Sequence, residues 1–321
     1  MRIAMLGRDN NRGLGIQSWE FYRHINPQKT LIVEINEKKT YRERFPDAKF
    51  CTLQDIEKNI DWLLDGVDCI VSFETWYYKW LPKIARQKGV KTFLQLNYEW
   101  LDDEADIYLA PSLWHFEDIP SPKIYLPVPI NRDVIPFKRR RVAKKFFYNY
   151  GNSYGGYDRN GFEIIRKAIP LVKNDVKFII KSQEEIPKIN DPRVEYIIED
   201  KDNYWEAYND GDVLLFPRRY GGLSLILNEA MASGMAILSL DVKPQNLFLP
   251  NRLLVKPTSK TIQTIRKPIE VYDVEPKLFA RAIDDIANKD ISKYSNISNI
   301  IAENWSWQKL KKQYIKILCQ N

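Results

Sequence analysis

Short apolar runs alternate with amphipathic segments along this chain, and the alternation starts afresh after a basic stretch near residue 140. A strand buried on both faces reads as an unbroken apolar run, and the helix that covers it keeps one polar side. The pattern therefore predicts parallel sheets with crossover helices on both faces. In the first half, strands are expected at Arg2–Leu6, Leu31–Ile35, Asp68–Phe73, Lys91–Leu96, Ile107–Ala110 and Ile124–Pro127, with helices at Ile16–Ile25, Asp55–Leu64 and Lys79–Gln87. Lys88-Gly89 supplies a glycine stop for the last helix. In the second half, strands are expected at Lys145–Tyr150, Val176–Lys181, Val194–Ile198, Asp212–Phe216 and Ala236–Leu240. A helix carries Ile164, Ile165, Ala168, Ile169 and Val172 at helical spacing, and others fall near Asn203–Asn209 and Ser224–Ala232.

A chain of 321 residues exceeds the size at which a single core stops growing, so the repeated alternation reads as two doubly wound α/β domains. The linker is expected around Pro129–Arg141. Ligands of open parallel sheets sit beyond the carboxyl ends of the strands, so two facing domains would place the site in a central cleft.

Composition narrows the setting. No apolar stretch approaches the roughly 20 residues of a membrane-spanning helix. Only four apolar residues in a row precede Gly7, which reads as a first strand and not as a secretory signal. Cys51, Cys69 and Cys319 are odd in number and lack paired spacing, which points to a reducing cytoplasm and away from disulfides or zinc. Two histidines cannot build a His-rich metal site, and no Ser-His-Asp arrangement is suggested. Asp102-Asp103-Glu104 reads as a solvated loop. No metal and no obligatory cofactor are expected, and no obligate protein partner is evident.

The net charge of +7 fits phosphorylated sugars, anionic lipid or nucleic acid as partners. Much of it is local, in Lys138, Arg139, Arg140, Arg141, Lys144 and Lys145, which also reads as a solvated linker.

Three segments carry chemistry. The first strand runs into Arg12-Gly13-Leu14-Gly15 and then a helix, presenting bare backbone and a helix N-terminus as a phosphate cradle or a tight turn. It is an incomplete dinucleotide fingerprint, because Ser18 stands at the third glycine position and no ribose-binding acid follows. The second domain opens with a strand leading into Gly151–Gly161, where glycines and Arg159 ahead of a helix can hold a diphosphate. The third segment, Asp212–Ala236, reads DVLLFPRRYGGLSLILNEAMASGMA. Its strand ends at Pro217, Arg218 and Arg219 and a Gly-Gly turn follow, and a helix starts near Ser224. Backbone amides of Gly222, Leu223 and Ser224 would face an anion, and Glu229 could accept both hydroxyls of a ribose diol. An acid among Ala230, Met231, Ala232 and Gly234 is costly to bury without a partner, and a ligand is one such partner.

The third segment resembles the donor-binding motif of the retaining GT-B glycosyltransferases of family 4. There a first glutamate, a glycine, an aromatic, a glycine and a leucine precede a second glutamate followed by Ala-Met-Ala and Gly. The resemblance runs the length of the chain. Asp106–Ser112 is similar to that family's aspartate-to-serine strand, Pro127–Asn131 to its Pro-Asn-Gly turn, and Gly151–Gly161 to its glycine loop. Trp305-Ser306-Trp307 is similar to the start of its closing helix, which crosses back onto the first domain. This implies two Rossmann-like domains. Residues 1–133, with the helix at 305–321, would form the acceptor side, and 142–304 the nucleotide-sugar side.

Glu229 matches the second glutamate, which implies ribose binding; Leu223, Ser224 and Leu225 match the backbone at the diphosphate. Arg159 falls near the basic residue that neutralises the leaving phosphates, and Gly13, Leu14 and Gly15 resemble the first-domain loop approaching them. The implied activity is transfer of a hexose or related sugar, with retention, from a UDP- or GDP-sugar to a hydroxyl acceptor. Two positions depart from the pattern. The first glutamate falls on Gly221, and the arginine after the first loop glycine falls on Asn152; Arg218 or Arg219 would supply the missing charge. Neither His24 nor His115 follows the Lys91–Leu96 strand, where the family often uses a histidine. Glu74, Asn97 and Glu99 are the candidates there for sugar or acceptor hydroxyls, and each reads equally as an ordinary loop residue.

The acceptor is left open. Hydroxymethylated pyrimidines in DNA are one option, gripped by the basic stretch with Tyr148, Tyr150, Tyr154 and Tyr157 stacking on bases. An anionic glycolipid or cell-envelope polymer is another, with Lys309, Lys311, Lys312 and Lys316 of the last helix at a membrane surface. Gly221 also leaves open a non-catalytic protein that binds a nucleotide sugar or nucleic acid.

Overall fold

The computed structural model describes residues 2–35, 39–151 and 158–319. The chain divides into two compact units, Met1–Pro129 with Trp307–Asn321, and Ile130–Ser306.

The first unit is built on seven strands: β1 (Ile3–Gly7), β2 (Lys29–Glu34), β3 (Lys49–Thr52), β4 (Cys69–Phe73), β5 (Lys91–Gln95), β6 (Ile107–Ala110) and β7 (Lys123–Tyr125). They lie in the order β3-β2-β1-β4-β5-β6-β7, every neighbour parallel. The central strands β1 and β4 are buried along their whole length, which is why they read as unbroken apolar runs. Three helices cross over, α1 (Gly13–Ile25), α2 (Glu57–Leu64) and α3 (Leu81–Gln87). The strand order reverses between β1 and β4, and α1 starts just beyond β1.

The second unit repeats the plan with β8 (Lys145–Asn149), α4 (Phe162–Ala168), β9 (Lys177–Ser182), β10 (Val194–Ile198), β11 (Val213–Phe216), α5 (Leu225–Ala232), β12 (Ala236–Leu240) and β13 (Leu254–Val255). Its six strands run β10-β9-β8-β11-β12-β13, again all parallel, with the switch point between β8 and β11. One apolar core, with Phe146, Phe178 and Phe279 fully buried, lies under α4 and a later helix, α6 (Pro276–Ile286). Between β13 and α6 an antiparallel hairpin intervenes, β14 (Ser259–Thr264) and β15 (Pro268–Asp273). It turns Ile269 and Val271 inward and leaves β14 outside. Then come α7 (Ser292–Asn304), which packs on α5 and buries the small residues Ser295, Ser298 and Ala302, and α8 (Trp307–Leu318).

α8 belongs to the first unit and is fixed there by a buried relay. Gln17 Nε2 donates to Gln95 Oε1 (2.6 Å), Gln95 Nε2 to the Tyr314 hydroxyl (2.9 Å), and that hydroxyl to the Pro127 carbonyl (3.0 Å). His24 stacks on Trp307 at 4.6 Å.

The strands expected from sequence are all present within two residues of their expected ends. β3, β13 and the β14–β15 hairpin are additional. The segment expected as a helix near Asn203–Asn209 is a 3-10 turn, Tyr204–Tyr208.

Candidate functional site

In the second unit the loops after β8 and β11 meet at the switch point, and the contact between them is made by backbone. Gly161 has φ +75°, and a Cβ there would lie 2.3 Å from the Pro217 carbonyl, so only glycine allows the approach. The Arg219 amide then donates to the Arg159 carbonyl at 2.9 Å. Gly151, at φ +53°, comes close to Ile226, which sets the end of β8 beside the first turn of α5. Asn152, with the rest of 152–157, lies outside the described residues.

The two helix starts differ. At α4 the Asp158 carboxylate accepts from the amides of Phe162 (2.7 Å) and Glu163 (2.8 Å), so the chain's own acid caps that terminus. At α5 the cap is Ser224, whose hydroxyl accepts from the Leu227 amide at 3.4 Å. Gly222, Leu223, Ser224 and Leu225 are half-buried there, while Gly221 is buried. Arg159 is half-buried, its carbonyl on the Arg219 amide.

The arginines that sequence reading offered as extra charge are engaged by the fold. Arg218 is buried and donates from Nε to Tyr220 O (3.0 Å), from Nη2 to Leu223 O (2.6 Å) and from Nη1 to Asn160 Oδ1 (3.3 Å). It braces the turn from inside. Arg219 donates to Tyr272 O, Asp158 O and Asp273 Oδ2, tying the turn to the end of β15. A cavity of about 300 Å³ opens beside Arg219, lined also by Asp158, Glu163, Asp273 and Glu275; Glu229 does not line it.

Glu229 is 7% exposed on α5. The fully buried Tyr208 donates its hydroxyl to Glu229 Oε2 at 2.6 Å and accepts from Asn149 Nδ2 at 3.2 Å. Burial, then the neighbouring Glu229, pushes the Tyr208 pKa well up, so the phenol stays protonated and remains a donor. The Tyr208 backbone is held in turn by Arg140, whose Nη2 donates to Tyr208 O and Nη1 to Asn209 O. A fixed donor on one carboxylate oxygen sets the orientation of the whole group. Lys181, at the end of β9, is buried within electrostatic range of the same carboxylate. Sequence reading found Glu229 but not Tyr208, Asn149 or Lys181, whose roles come from strand register and burial.

Two parts of the DNA-binding expectation are corrected here. Arg140 is buried and bonded to carbonyls, and Tyr148 lies fully in the core, so neither can meet a phosphate or a base. Tyr150 packs edge-on against Phe162, while Tyr154 and Tyr157 lie outside the described residues. Lys138, Arg139, Arg141 and Lys144 are exposed.

In the first unit, Gly13 is exposed with nothing within 4 Å of its missing Cβ, Leu14 is half-buried, and Gly15 is buried under Asn10, whose carbonyl would lie 2.1 Å from a Cβ there. Gly15 is thus required by the fold of the loop itself. Ser18 bonds the Arg8 amide and the Leu14 carbonyl, and the room for it comes from Gly7, where a Cβ would meet Ser18 Oγ at 2.7 Å. The close helix–strand approach that the fingerprint obtains with its third glycine is obtained here from the strand side. Asn97 Nδ2 donates to Glu74 Oε1 at 2.9 Å, and Glu74 adopts a left-handed backbone at φ +67°; both are half-buried. Glu99 is wholly buried and set apart from solvent. His115 stacks on Tyr98 and bonds Asp118.

On α8, Lys309, Lys311, Lys312 and Lys316 are all exposed. Among the described residues no helix is long and apolar enough to cross a membrane, and no group of three or more His, Cys, Asp or Glu is placed to hold a metal ion.

Comparison with known proteins bears on this geometry. No curated protein sequence matches the chain. Solved structures share the fold across nearly the whole length at low identity. HepE of Anabaena in complex with UDP-glucose is 11% identical with a TM-score of 0.70, covering 99% of both chains. Sucrose-phosphate synthase from Thermosynechococcus elongatus is 12% identical with a TM-score of 0.65, covering 99% of this chain and 98% of the other. The apo lipopolysaccharide outer core galactosyltransferase WaaB is 14% identical with a TM-score of 0.62, covering 98% of each. The two doubly wound units are therefore the GT-B fold of these glycosyltransferases. Residues 151–270, which carry both Arg159 and Glu229, match the family model Glycosyl transferases group 1.

Proposed function

We propose that this chain is a glycosyltransferase that moves a sugar, a hexose in its simplest form, from a UDP- or GDP-sugar to a hydroxyl acceptor with retention. The observation that carries the reading is the buried Tyr208–Glu229 pair, one helical turn beyond the α5 start, inside the segment matched to group 1 glycosyl transferases. With Oε2 fixed by Tyr208, the Glu229 carboxylate is set to accept the two hydroxyls of a ribose. The diphosphate then falls at the start of α5, where the amides of Gly222 to Leu225 and the helix dipole favour negative charge. Arg159 adds a full positive charge as the sugar develops oxocarbenium character and the nucleoside diphosphate leaves. HepE, which shares the fold, has been solved with UDP-glucose, and a nucleotide-sugar donor is the corresponding proposal here. The hydrogen-bonded Glu74–Asn97 pair is proposed to recognise hydroxyls in the first unit.

Calorimetry with UDP and GDP tests the donor site. Glu229→Ala should weaken binding by about tenfold to a hundredfold, the worth of hydrogen bonds to a charged group. Unchanged affinity would remove Glu229 from the site. Nucleoside diphosphate release from a panel of UDP- and GDP-sugars tests turnover, and binding without release from any donor would favour a non-catalytic protein.

A further inference from the structure

Lys181 lies beside the cluster around Glu229. It is the strand-register partner of Asn149 on the neighbouring β8, and register partners on adjacent strands project from the same face of a sheet. Asn149 bonds the Tyr208 hydroxyl, and Tyr208 bonds Glu229, so that face is the one Glu229 occupies. Lys181 is 6% exposed, and its ammonium lies within electrostatic range of Glu229, Asp200 and Glu199. An ammonium carries three hydrogen-bond donors and no acceptor. Burial pushes its pKa down while Glu229, then Asp200 and Glu199, hold the charge on.

Its place in the sheet says which part of a nucleotide would meet it. Arg159, Gly151 and the start of α5 gather at the switch point between β8 and β11, whereas β9 lies on the far side of β8. A nucleotide with its diphosphate at the switch point and its ribose on Glu229 directs its base toward β9. Lysine has donors and no acceptor. At the corresponding edge, uracil and guanine present a keto oxygen, an acceptor, whereas cytosine and adenine present an amino group, a donor.

We propose that Lys181 is the specificity-determining residue for the donor base, accepting bases with a keto oxygen at that edge and rejecting those with an amino group. This rests on the nucleotide-sugar reading above. An ammonium facing an amino group leaves two donors opposed and unpaired, and sites built around a polar contact discriminate strongly against a ligand that cannot make it.

The test is calorimetry of UDP against CDP and of GDP against ADP on the full chain. The wild-type protein should prefer the keto member of each pair by about tenfold or more. Lys181→Met, which keeps the length of the stem, should collapse that ratio. Lys181→Gln, which offers both a donor and an acceptor, should collapse it as well and guards against a misfolded Met variant. Glu229→Ala should weaken all four ligands and leave the ratios intact. A wild-type protein without preference, or Lys181 variants that keep the wild-type ratios, would overturn the assignment of Lys181 while leaving the donor site standing. Failure of all four nucleotides to bind the wild-type protein would overturn both.

Discussion

The guanidinium of Arg218 fills the space in which a side chain at residue 221 would begin: a Cβ on Gly221 would lie 2.6 Å from Arg218 Nη2. The backbone enforces the same exclusion, because Gly221 sits at φ +111°, where an L side chain is strained. The resemblance to family 4 places its first glutamate at this position. Here the glutamate's absence and the buried arginine are two sides of one arrangement, since Arg218 spends its donors on Tyr220, Leu223 and Asn160. Gly221→Ala is expected to cost about 1–3 kcal/mol from backbone strain alone, measured by urea unfolding. Gly221→Glu should bring no gain in donor turnover, because the new side chain must first displace Arg218. A neutral Gly221→Ala would show that the turn relaxes freely.

Tyr208→Phe removes one hydroxyl and leaves two partners, the buried Glu229 Oε2 and the half-buried Asn149 Nδ2, without it. Because the phenol orients the carboxylate proposed to hold the ribose diol, UDP affinity should fall by about tenfold. The loss should be specific to the diol. Wild-type protein should prefer UDP over its 2′-deoxy counterpart, and Tyr208→Phe should narrow that preference. An equal loss for both nucleotides would mean that Tyr208 acts on the fold alone.

The parts of the molecule that sequence exposes are those whose signal is burial of apolar side chains. The strands Ile107–Ala110 and Ala236–Leu240 stand at their expected bounds. β3 escaped because only Cys51 of its four residues is buried, as suits an edge strand. β14 escaped because it carries Lys260, Thr261 and Gln263 and turns Ile262 outward, 75% exposed. α7 buries Ser295, Ser298 and Ala302, which give no apolar stripe. The site divides in the same way. Glu229 stands out as an acid in a small apolar helix, whereas Lys181 becomes visible only when β8 and β9 are set in register. Charge is the least reliable guide. Arg140, Arg218 and Arg219 read as anion ligands in sequence, but each binds backbone carbonyls, which only the folded chain brings into reach.

The cysteines give a prediction about reactivity. Burial pushes the Cys51 thiol up to about 11 and the Cys69 thiol up to about 12, with nearby acids adding to both. Neither forms the reactive thiolate near neutral pH. Cys319 is exposed. Iodoacetamide at pH 7.5 should therefore label Cys319 alone in the native protein and all three cysteines after denaturation. Native labelling of Cys69 would show that β4 opens to solvent.

Tyr314 is the hinge of the buried relay that fixes α8 to the first unit. Its hydroxyl accepts from Gln95 and donates to the Pro127 carbonyl, and burial pushes its pKa far above the ordinary range. Tyr314→Phe keeps the ring against Phe21 and Trp307 but strips both hydrogen bonds, leaving an amide hydrogen and a carbonyl oxygen unpaired in the core. The cost should be about 1–3 kcal/mol, the penalty of an unsatisfied buried polar group. Gln95→Leu paired with Tyr314→Phe should recover part of it, because the unpaired amide is then gone; the Gln17 amide, which donates to Gln95, limits the recovery. Chemical denaturation of the single and double variants measures both effects. Strict additivity of the two changes would show that the side chains do not act as a relay.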